Sequence, residues 1–573
     1  MQLKKFPLGL WVGRAVLGLA IALASSLAAQ TAQAPLAEKP KPSFPIPSGP
    51  QSDGAFRKVI LDSDRQRSDG TWEDTVADPM ELAVAQDGRV IYAQRNGVIK
   101  MWSPAAQATT VIAEIPVFAG LEDGMLGIAL DPHFVSNGWV FLNHSVVETT
   151  TDSRGEKQGI IRVSRYTLVE GKLDLASEKK VLDIPTQREQ CCHVGGSLAF
   201  DKDGNLFVAI GDNTNPFDSD GFSPQDERPG RSPWDAQKSS ANMNDLRGGV
   251  SRIHPEPDGS YTIPKGNLFP PGTPGTRPEV YVKGTRNGFR VSVDQRNSIL
   301  YWGDVGPDAG GADPARGPAG FDEVEQAKSP GFHGWPYFRG DNKAYAKVDF
   351  VARDRYQKER AAYDKEKSAH DKAVAAHAKS VKEAAAANQP PPADLPGWSL
   401  KPPAPYASGT PTLPDPQHPV NHSPFNTGVH DLPPARPAFI FYPNGQSTRF
   451  PVVNGGGGRT AMAGPVYYFD ANNKSASKLP KEFDHTLFIY EWSRNWIIAV
   501  HLDANDDIAK NPDGSKRMER FCPGMTFKRP MDLELGADGC LYLAEYGTAW
   551  GNNMDTQIVR IEYQPPTTAS VGR

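Results

Sequence analysis

Short hydrophobic segments, each introduced by a turn, recur along this chain in pairs. Six segments rich in Val, Ile, Leu and aromatic residues each precede a second segment of the same kind. The first segments span residues 86–95, 137–145, 202–212, 296–304, 484–493 and 537–547, and their partners span 97–102, 159–169, 248–255, 321–327, 495–503 and 556–563. The pattern predicts six pairs of neighbouring β-strands.

Irregular spacing between the pairs excludes a solenoid with a fixed short repeat and favours blades arranged around an axis. We therefore predict an all-β fold, a six-bladed β-propeller. A β-sandwich of about twelve strands is the alternative that the pattern leaves open. In a propeller the loops at one end of the blades converge on the axis, so we expect a functional site there.

One segment departs from the strand pattern. Residues 352–388 contain no Gly or Pro, carry dense mixed charge and repeat an Ala-containing motif every seven residues, which predicts a helix. A Pro-rich stretch follows at 390–415. We interpret 352–420 as an insertion between the fourth and fifth strand pairs, either a solvated surface arm or an arm that binds a partner. His370 and His377 lie one heptad apart, too far for one metal ion, so we assign them no ligand role.

The two ends of the chain differ from the propeller segments. Residues 1–34 hold basic residues, an apolar run and small residues suited to cleavage, which predicts a secretory signal. Residues 35–54 are rich in Pro and Ser and predict a linker, and 566–573 form a tail. The propeller then comprises 55–351 and 421–565. No segment after the signal approaches about 18 uninterrupted apolar residues, so we expect no integral membrane segment once the signal is removed.

Charge excludes one class of partner. The formal net charge of the chain is −5, and nothing in its distribution indicates binding to nucleic acid. Export, which the signal predicts, would permit disulfides among the four cysteines.

Cys191 and Cys192 are adjacent and directly precede His193. Three interpretations stand: a disulfide that closes an eight-membered ring and stiffens the loop, free thiols that bind a soft metal together with the histidine, or two buried thiols. Export favours the disulfide. The even number of cysteines also predicts a second bridge, between Cys522 and Cys540.

Three polar loops lie at the ends of strand pairs two, three and four. Their sequences are EQCCHVGGS (189–197), GTRNGFR (284–290) and GDVGPDAGG (303–311). Taken singly, an Arg-Asn pair or a Gly-Pro-Asp turn can be purely structural. Because a propeller brings such loops together, we predict that they form one site.

Four motifs resemble one known family. The runs LEDGMLGIALDPHF, CCHVGGSLAFDKDGNLFVAIGDN, GTRNGFR and WGDVGP…FDEVEQ…GFHGWP resemble, in order, those of the glucose/sorbosone dehydrogenase family. The resemblance covers roughly residues 80 to 490 with gaps, over motifs matched in the same order. It implies a soluble six-bladed propeller that uses pyrroloquinoline quinone (PQQ) and calcium.

The resemblance implies roles for individual residues. His193 matches the general base that takes the proton of a sugar hydroxyl while hydride passes to the quinone. Arg286 matches the arginine that stabilises the quinone oxygen as it gains negative charge, and Asn287 would help to hold the cofactor. Gly306 and Pro307 match positions whose backbone carbonyls bind calcium.

Further residues follow from the same resemblance. Arg494 and Arg529 match approximately the basic residues around the carboxylates of the cofactor, so they are predicted cofactor contacts. Glu122 lies where the family has a polar residue that contacts substrate. Cys192 replaces the residue that precedes the family's histidine and would line the substrate position.

The function that these residues imply is that of a periplasmic or secreted quinoprotein oxidoreductase, which oxidises a hydroxyl of an aldose or polyol. A separate electron acceptor, a small cytochrome or a membrane quinone, is implied because the chain has no Cys-x-x-Cys-His haem motif. The alternative is a non-catalytic propeller that binds carbohydrate or a cell-envelope partner. Ser493 and Met531, which stand where the family has Lys and Arg, favour this alternative.

Overall fold

The computed structural model of this protein describes residues 49, 51–153, 155–404, 412–455, 458–549, 551 and 553–564. All of them belong to one compact unit, residues 44–573. The predicted signal, 1–34, and the predicted tail, 566–573, lie outside the described residues.

Six sheets, antiparallel except for one short parallel strand pair, account for most of the described strands. We name them blades 1 to 6 in chain order and give the strands of each from the inner to the outer edge. Blade 1 holds Pro79–Val84, Val90–Gln94, Val98–Ser103 and Ala108–Glu114, and blade 2 holds Met125–Leu130, Trp139–Ser145, Lys157–Val169 and Lys172–Gln187, with Thr150–Thr151 at its edge. Blade 3 holds Gly195–Phe200, Leu206–Ile210, Gly249–Pro255 and Val280–Lys283, with Tyr261–Thr262 and Gly331–Phe332 added, and blade 4 holds Gly288–Val293, Leu300–Asp304, Phe321–Ala327 and Ile440–Pro443. Blade 5 holds Ala461–Tyr467, Thr486–Glu491, Trp496–His501 and Met518–Phe521, and blade 6 holds Pro530–Leu535, Leu541–Glu545, Gln557–Tyr563, Phe56–Ser63 and Gln51–Asp53.

The remaining elements are short, with one exception. They are the strand pairs Arg65–Gln66 with Trp72–Glu73 and Phe338–Arg339 with Lys343–Ala344, the helices Phe134–Asn137 and Phe350–Ala386, and the 3₁₀ turns Phe217–Ser219, Ser232–Trp234, Ala236–Lys238, Pro451–Val453 and Lys481–Phe483.

The first strands of the six blades form the inner ring of the molecule. Each packs on the first strand of the next blade, and the first strand of blade 6 packs on that of blade 1, so the ring is closed. This arrangement confirms the predicted six-bladed propeller. The strand pairs predicted from the sequence are the second and third strands of each blade. The hydrophobic pattern does not predict the inner strands. An inner strand such as Gly195–Phe200, GGSLAF, is short and carries glycine and serine, so its hydrophobic signal is weak.

Hydrophobic side chains fill the space between neighbouring blades. Phe141 of blade 2 meets Phe200 of blade 3 edge to face, with ring centroids 5.1 Å apart. Trp302, in the second strand of blade 4, is completely buried in the layer between blades 3 and 4. Burying such side chains between sheets removes them from water and stabilises the ring.

Blade 6 is built from both ends of the propeller. The strand Phe56–Ser63 pairs antiparallel with Gln557–Tyr563, which closes the ring with chain from its two termini. Lys58 on the first of these strands donates to the carboxylate of Glu545 at 2.8 Å, and both side chains are buried. Because Gln51–Asp53 already forms a strand, the predicted linker 35–54 extends too far by several residues.

The predicted insertion lies inside blade 4, between its third and fourth strands. Its helix, Phe350–Ala386, begins two residues earlier than predicted, where Asp349 caps it by accepting from the backbone N–H groups of Val351 and Ala352. Most of the helix is exposed. Among the described residues, no helix has the length and apolar character needed to cross a membrane.

Candidate active site

The predicted site residues lie on loops at one end of the propeller. Glu122 and His193 precede the inner strands of blades 2 and 3, and Arg286 precedes that of blade 4. Gly306 and Pro307 follow the second strand of blade 4. In an antiparallel blade, the start of the first strand and the end of the second strand share one edge, so the sequence separation between these loops disappears in the fold.

The backbone of the His193 loop requires glycine at positions 195 and 196. His193, Gly195 and Gly196 all have positive φ angles, of 60°, 65° and 117°. A Cβ atom at Gly196 would lie 2.3 Å from Cβ of Leu126 in the inner strand of blade 2. The two glycines therefore let the loop turn tightly against the neighbouring blade and present the imidazole to the site.

His193 is held at its ring and at its backbone. Nδ1 lies 2.7 Å from Oδ1 of Asp212, and the backbone N–H donates to Oε2 of Glu122 at 2.6 Å. Its carbonyl accepts from the backbone N–H of Asn213 at 3.0 Å. The imidazole is buried, with 4% of the residue exposed.

Asp212 is the residue that sequence reasoning missed. It is fully buried, and besides His193 it accepts from the indole Nε1 of Trp335 at 2.8 Å and from the backbone N–H of Thr214 at 3.0 Å. A carboxylate surrounded by donors orients the imidazole with its Nδ1–H toward Asp212, which leaves Nε2 with a free lone pair. In the sequence, Asp212 is marked only by its position after the strand Leu206–Ile210 and one glycine. Aspartate is common in such turns, so this position alone does not predict a functional role.

Arg286 and Asn287 share one anchor. Their backbone N–H groups donate to the two carboxylate oxygens of Asp304, at 3.0 and 2.7 Å. The carbonyl of Arg286 accepts from the backbone N–H of Asp212 at 2.7 Å, so the arginine loop and the histidine loop are directly joined. The structure thus brings His193, Arg286 and Asn287 together as predicted.

The side chain of Arg286 is suited to an anionic ligand. Its guanidinium donates to the carbonyl of Val305 at 2.9 Å and lies 5.9 Å from the ring of Trp335. Burial lowers the pKa of this guanidinium from its usual high value, because removal from water disfavours the charged form. Beside it, Oδ1 of Asn287 is a buried acceptor with no hydrogen-bond partner among the described residues. A buried cation beside an unpaired amide is what a polar cofactor edge requires.

One of the two predicted calcium ligands, the carbonyl of Pro307, is already occupied in this chain. The carbonyl of Pro307 accepts from Nη2 of Arg459 at 2.6 Å, and Gly306 donates its N–H to Asp322 at 3.0 Å. A divalent ion on the same carbonyl would lie about 4 Å from the guanidinium, where repulsion amounts to about 8 kcal/mol at an effective dielectric constant near 20. We therefore assign no calcium role to Pro307, whereas the role predicted for the carbonyl of Gly306 stays a prediction.

The side chain of Arg494 is engaged in hydrogen bonds within the protein. Its guanidinium donates to the carbonyls of Gly458 and Val453 at 3.0 Å, and to those of Pro443 and Asn444 at 2.9 and 3.2 Å. Four of its five N–H bonds are occupied, which makes it a crosslink between blades 4 and 5 and leaves little for the predicted cofactor contact.

Arg529 lies on the loop before the inner strand of blade 6. Its guanidinium carbon sits 4.1 Å from the centre of the Trp492 ring, and its Nε donates to the carbonyl of Thr548 at 3.1 Å. It is half-buried at the same end of the propeller as the other loops, and its predicted contact with the cofactor stays a prediction.

The four cysteines form two pairs, of which only one is bridged. The structure places Cys191 and Cys192 together as an adjacent disulfide pair, with the Glu122 carboxylate within 4.8 Å of their sulfurs. The predicted bridge between Cys522 and Cys540 does not form: both are free and buried. Cys540 donates its thiol to the carbonyl of Ser477 at 3.2 Å, and burial raises the pKa of both thiols. These two residues pack as small hydrophobic side chains.

Fold and site together define a six-bladed propeller whose inner loops assemble a histidine–carboxylate pair beside a buried arginine. The chain belongs to the glucose/sorbosone dehydrogenase family, whose family model matches residues 76–378, more than half of the chain.

Individual relatives are distant. The chain is 24% identical over 282 residues to quinoprotein glucose dehydrogenase B of Acinetobacter calcoaceticus, a match that covers 48% of this chain and 54% of that protein. It is 24% identical over 223 residues to the human Hedgehog-interacting protein, covering 36% of this chain and 28% of that one. The chain thus spans about half or less of the length of these relatives. The PQQ-bound aldose sugar dehydrogenase of Streptomyces coelicolor superposes with a TM-score of 0.48 and 15% identity over 89% of this chain and 99% of that one.

Proposed function

We propose that this protein is an exported, PQQ-dependent dehydrogenase that oxidises a hydroxyl of an aldose sugar or a related polyol. The observation that carries the proposal is the arrangement of His193, held by a buried carboxylate at 2.7 Å with its Nε2 free. A site for proton abstraction needs such a base, and a fixed anion behind the ring keeps it in the productive tautomer.

Each residue of the site has a part in this chemistry. PQQ, when bound, supplies the quinone that accepts hydride from the carbon bearing the hydroxyl. Nε2 of His193 takes the hydroxyl proton, and Asp212 stabilises the imidazolium that results. Glu122, which accepts from the backbone of His193, stands where a sugar hydroxyl can be bound.

Arg286 and Asn287 would hold the quinone edge. The Arg286 guanidinium is buried and uses one N–H on the carbonyl of Val305, so its other N–H groups can meet an oxygen that gains negative charge. The unpaired Oδ1 of Asn287 offers an acceptor beside it, which can receive an N–H or O–H group of the cofactor but not a quinone oxygen. Both side chains are positioned before a ligand arrives, because Asp304 fixes their backbone.

Electrons must leave the reduced cofactor. The chain has no Cys-x-x-Cys-His motif, so we propose a separate acceptor, a small cytochrome or a membrane quinone. The predicted signal at 1–34 supports a periplasmic or secreted location, where such acceptors operate.

Reconstitution tests the proposal. Purified protein is incubated with PQQ, with and without calcium, and sugars and polyols are screened with an artificial electron-acceptor dye. His193→Ala should retain the quinone but lower turnover by about 10²–10⁴, whereas Arg286→Ala should weaken both quinone retention and turnover. His418→Ala, at an exposed histidine outside the site, is the matched control. Wild-type protein that neither shifts the quinone spectrum nor reduces dye would refute the proposal.

One set of observations favours a second function, the binding of carbohydrate or a cell-envelope partner without turnover. Arg494 is occupied by carbonyls, and Ser493 and Met531 carry no charge where the family has basic residues. One relative is named for an interaction with another protein, Hedgehog. If the quinone leaves no spectral change while a sugar array or an envelope extract shows saturable binding, this second function replaces the first.

A further inference from the structure

Arg459 binds one of the two carbonyls that the family resemblance assigns to a calcium ion, that of Pro307. We infer that its guanidinium stands in for calcium, so that the site holds its ligands with a fixed organic cation and needs no divalent metal. The catalytic meaning of this inference rests on the proposed function. The prediction about calcium binding rests on the contacts of Arg459 alone.

Three hydrogen bonds hold Arg459 in one orientation. Nη2 donates to the carbonyl of Pro307 and Nη1 to that of Gly320, both at 2.6 Å, while Nε donates to Oδ1 of Asp322 at 3.1 Å. Arg459 is 8% exposed and Asp322 is fully buried. The guanidinium therefore spans both ends of the 307–320 loop and the strand that follows it.

The partners of Arg459 are the oxygen types that calcium prefers. Two backbone carbonyls and one carboxylate form a hard donor set of the kind found around calcium in proteins. Asp322 is fixed further by the N–H groups of Gly306 and Ala461, at 3.0 and 2.9 Å. A planar guanidinium satisfies these same oxygens with directed hydrogen bonds and brings its positive charge with it.

A second arginine binds the turn that leads into the same loop. Arg286 donates to the carbonyl of Val305 at 2.9 Å, two residues before the carbonyl that Arg459 holds. The turn 305–307 is therefore flanked by three buried guanidinium groups, those of Arg286, Arg459 and Arg339, the last of which also donates to the carbonyl of Val305, at 3.4 Å. Together they supply positive charge at the quinone end of the site without a metal, and the charge cannot be removed by a chelator.

Calcium binding is the direct test. Apoprotein treated with a chelator is dialysed against about 1 mM calcium, the range in which extracellular calcium modules bind, and bound metal is counted by elemental analysis. The wild type should bind no stoichiometric calcium. Arg459→Ala exposes the two carbonyls and the Asp322 carboxylate, so it should gain one calcium per chain and a thermal midpoint that rises with calcium.

Two variants control for charge and for burial. Arg459→Lys keeps the positive charge and should bind no calcium, as in the wild type. Arg316→Ala removes another buried guanidinium, one bonded to Asp220 and to the Ser219 carbonyl, and should gain no calcium either. If Arg459→Ala does not fold, the wild type and the lysine variant still decide the question.

The outcomes separate this inference from the proposed function. A wild type that binds one calcium, or an Arg459→Ala protein that folds and binds none, overturns the inference. Quinone binding is followed independently by absorbance. Quinone bound equally with and without chelator supports both proposals, and quinone bound only with calcium overturns the inference alone. Absence of quinone binding in every condition overturns the proposed function, while the calcium contrast between wild type and variant still decides the inference.

Discussion

At the scale of single residues, Asp212 joins side chains that are far apart in the sequence. It contacts His193 and also Trp335, which is 123 positions further along the chain than Asp212. Each partner occupies a different carboxylate oxygen. The orientation of the imidazole therefore depends on a carboxylate that accepts on both sides.

Asp212→Asn should separate this role from simple packing. An amide of the same size can accept on one side only, so Nδ1 of His193 loses its acceptor or takes the wrong tautomer. Turnover in the dye assay should fall by about 10²–10⁴, and the thermal midpoint should fall only by the cost of one mismatched buried hydrogen bond.

The matched control for this substitution lies in the same blade. Asp201 is also buried, and accepts from the side chain of Asn205 at 2.8 Å in a turn at the opposite end of blade 3. Asp201→Asn should leave turnover intact. Equal turnover for the wild type and Asp212→Asn would remove Asp212 from the mechanism.

At the scale of elements, the insertion in blade 4 has two anchored ends and an exposed middle. Near its start, Arg353 donates to the Asp218 carbonyl at 2.9 Å and Asp354 pairs with Arg228 at 3.1 Å. Near its end, the carbonyl of Pro419 accepts from the backbone N–H of Leu432 at 3.0 Å. Between these ends, Trp398 packs on the helix against Tyr363 and His370, with ring centroids 5.9 and 4.9 Å away.

Two deletions of different length should therefore behave differently. Replacing 360–412 by a flexible Gly/Ser linker removes exposed helix and Pro-rich chain, so the thermal midpoint should shift by a few degrees at most, on the order of 1 kcal/mol or less. Replacing 352–420 also removes the anchors and should cost more. Calorimetry measures the thermal midpoint of both proteins. Loss of the cooperative unfolding transition in the shorter deletion would show that the insertion is part of the propeller fold.

At the scale of the whole molecule, ring closure depends on a buried ion pair. Lys58, on the N-terminal strand of blade 6, donates to Glu545 at 2.8 Å and to the carbonyl of Thr526 at 2.6 Å. Lys58→Met leaves a buried carboxylate without its cation, which should lower the free energy of unfolding by about 3–5 kcal/mol.

An exposed pair provides the comparison for Lys58. Lys328 contacts Asp507 at 2.7 Å with both side chains largely exposed, and Lys328→Met should cost about 1 kcal/mol or less. Denaturant titration measures both. A similar loss of unfolding free energy for the two substitutions would contradict a special role of Lys58 in closing the ring.

Near the axis, Glu81 ties three blades together. Its carboxyl accepts from the N–H of Ile128 in blade 2 at 2.7 Å and from the hydroxyl of Ser197 in blade 3, while Glu81 itself belongs to blade 1. Burial raises its pKa to about 8. The folded protein then keeps this proton up to about pH 8, whereas the unfolded chain releases it near pH 4.3.

This difference sets a direction for stability against pH. Between about pH 4.3 and 8 the folded state binds the extra proton, so the contribution of Glu81 falls as pH rises, by at most about 1.4 kcal/mol per pH unit. Glu81→Gln cannot titrate, and its amide can donate to Ser197. Relative to the wild type, the variant should become more stable from pH 5 to 8. A difference in unfolding free energy that stays constant with pH would refute the raised pKa.

Features that depend on neighbouring residues were predictable from the amino-acid sequence. Short hydrophobic segments introduced by turns marked the second and third strands of all six blades, since this pattern is local. The absence of Gly and Pro together with regular charge marked the helix Phe350–Ala386 within two residues at each end. Motif resemblance also placed His193, Arg286 and Asn287 on one site, which the fold assembled.

Contacts between polar groups that are distant in the sequence became apparent from the three-dimensional fold. The Asp212 contact with Trp335, the hold of Arg459 on Pro307 and the occupation of Arg494 by carbonyls all arise where inner loops of different blades converge. The same holds for Cys522 and Cys540, whose even count predicted a bridge that their places in the core do not make. Hydrogen bonds between loops depend on the closure of the ring, and no local pattern of hydrophobic and polar positions encodes that geometry.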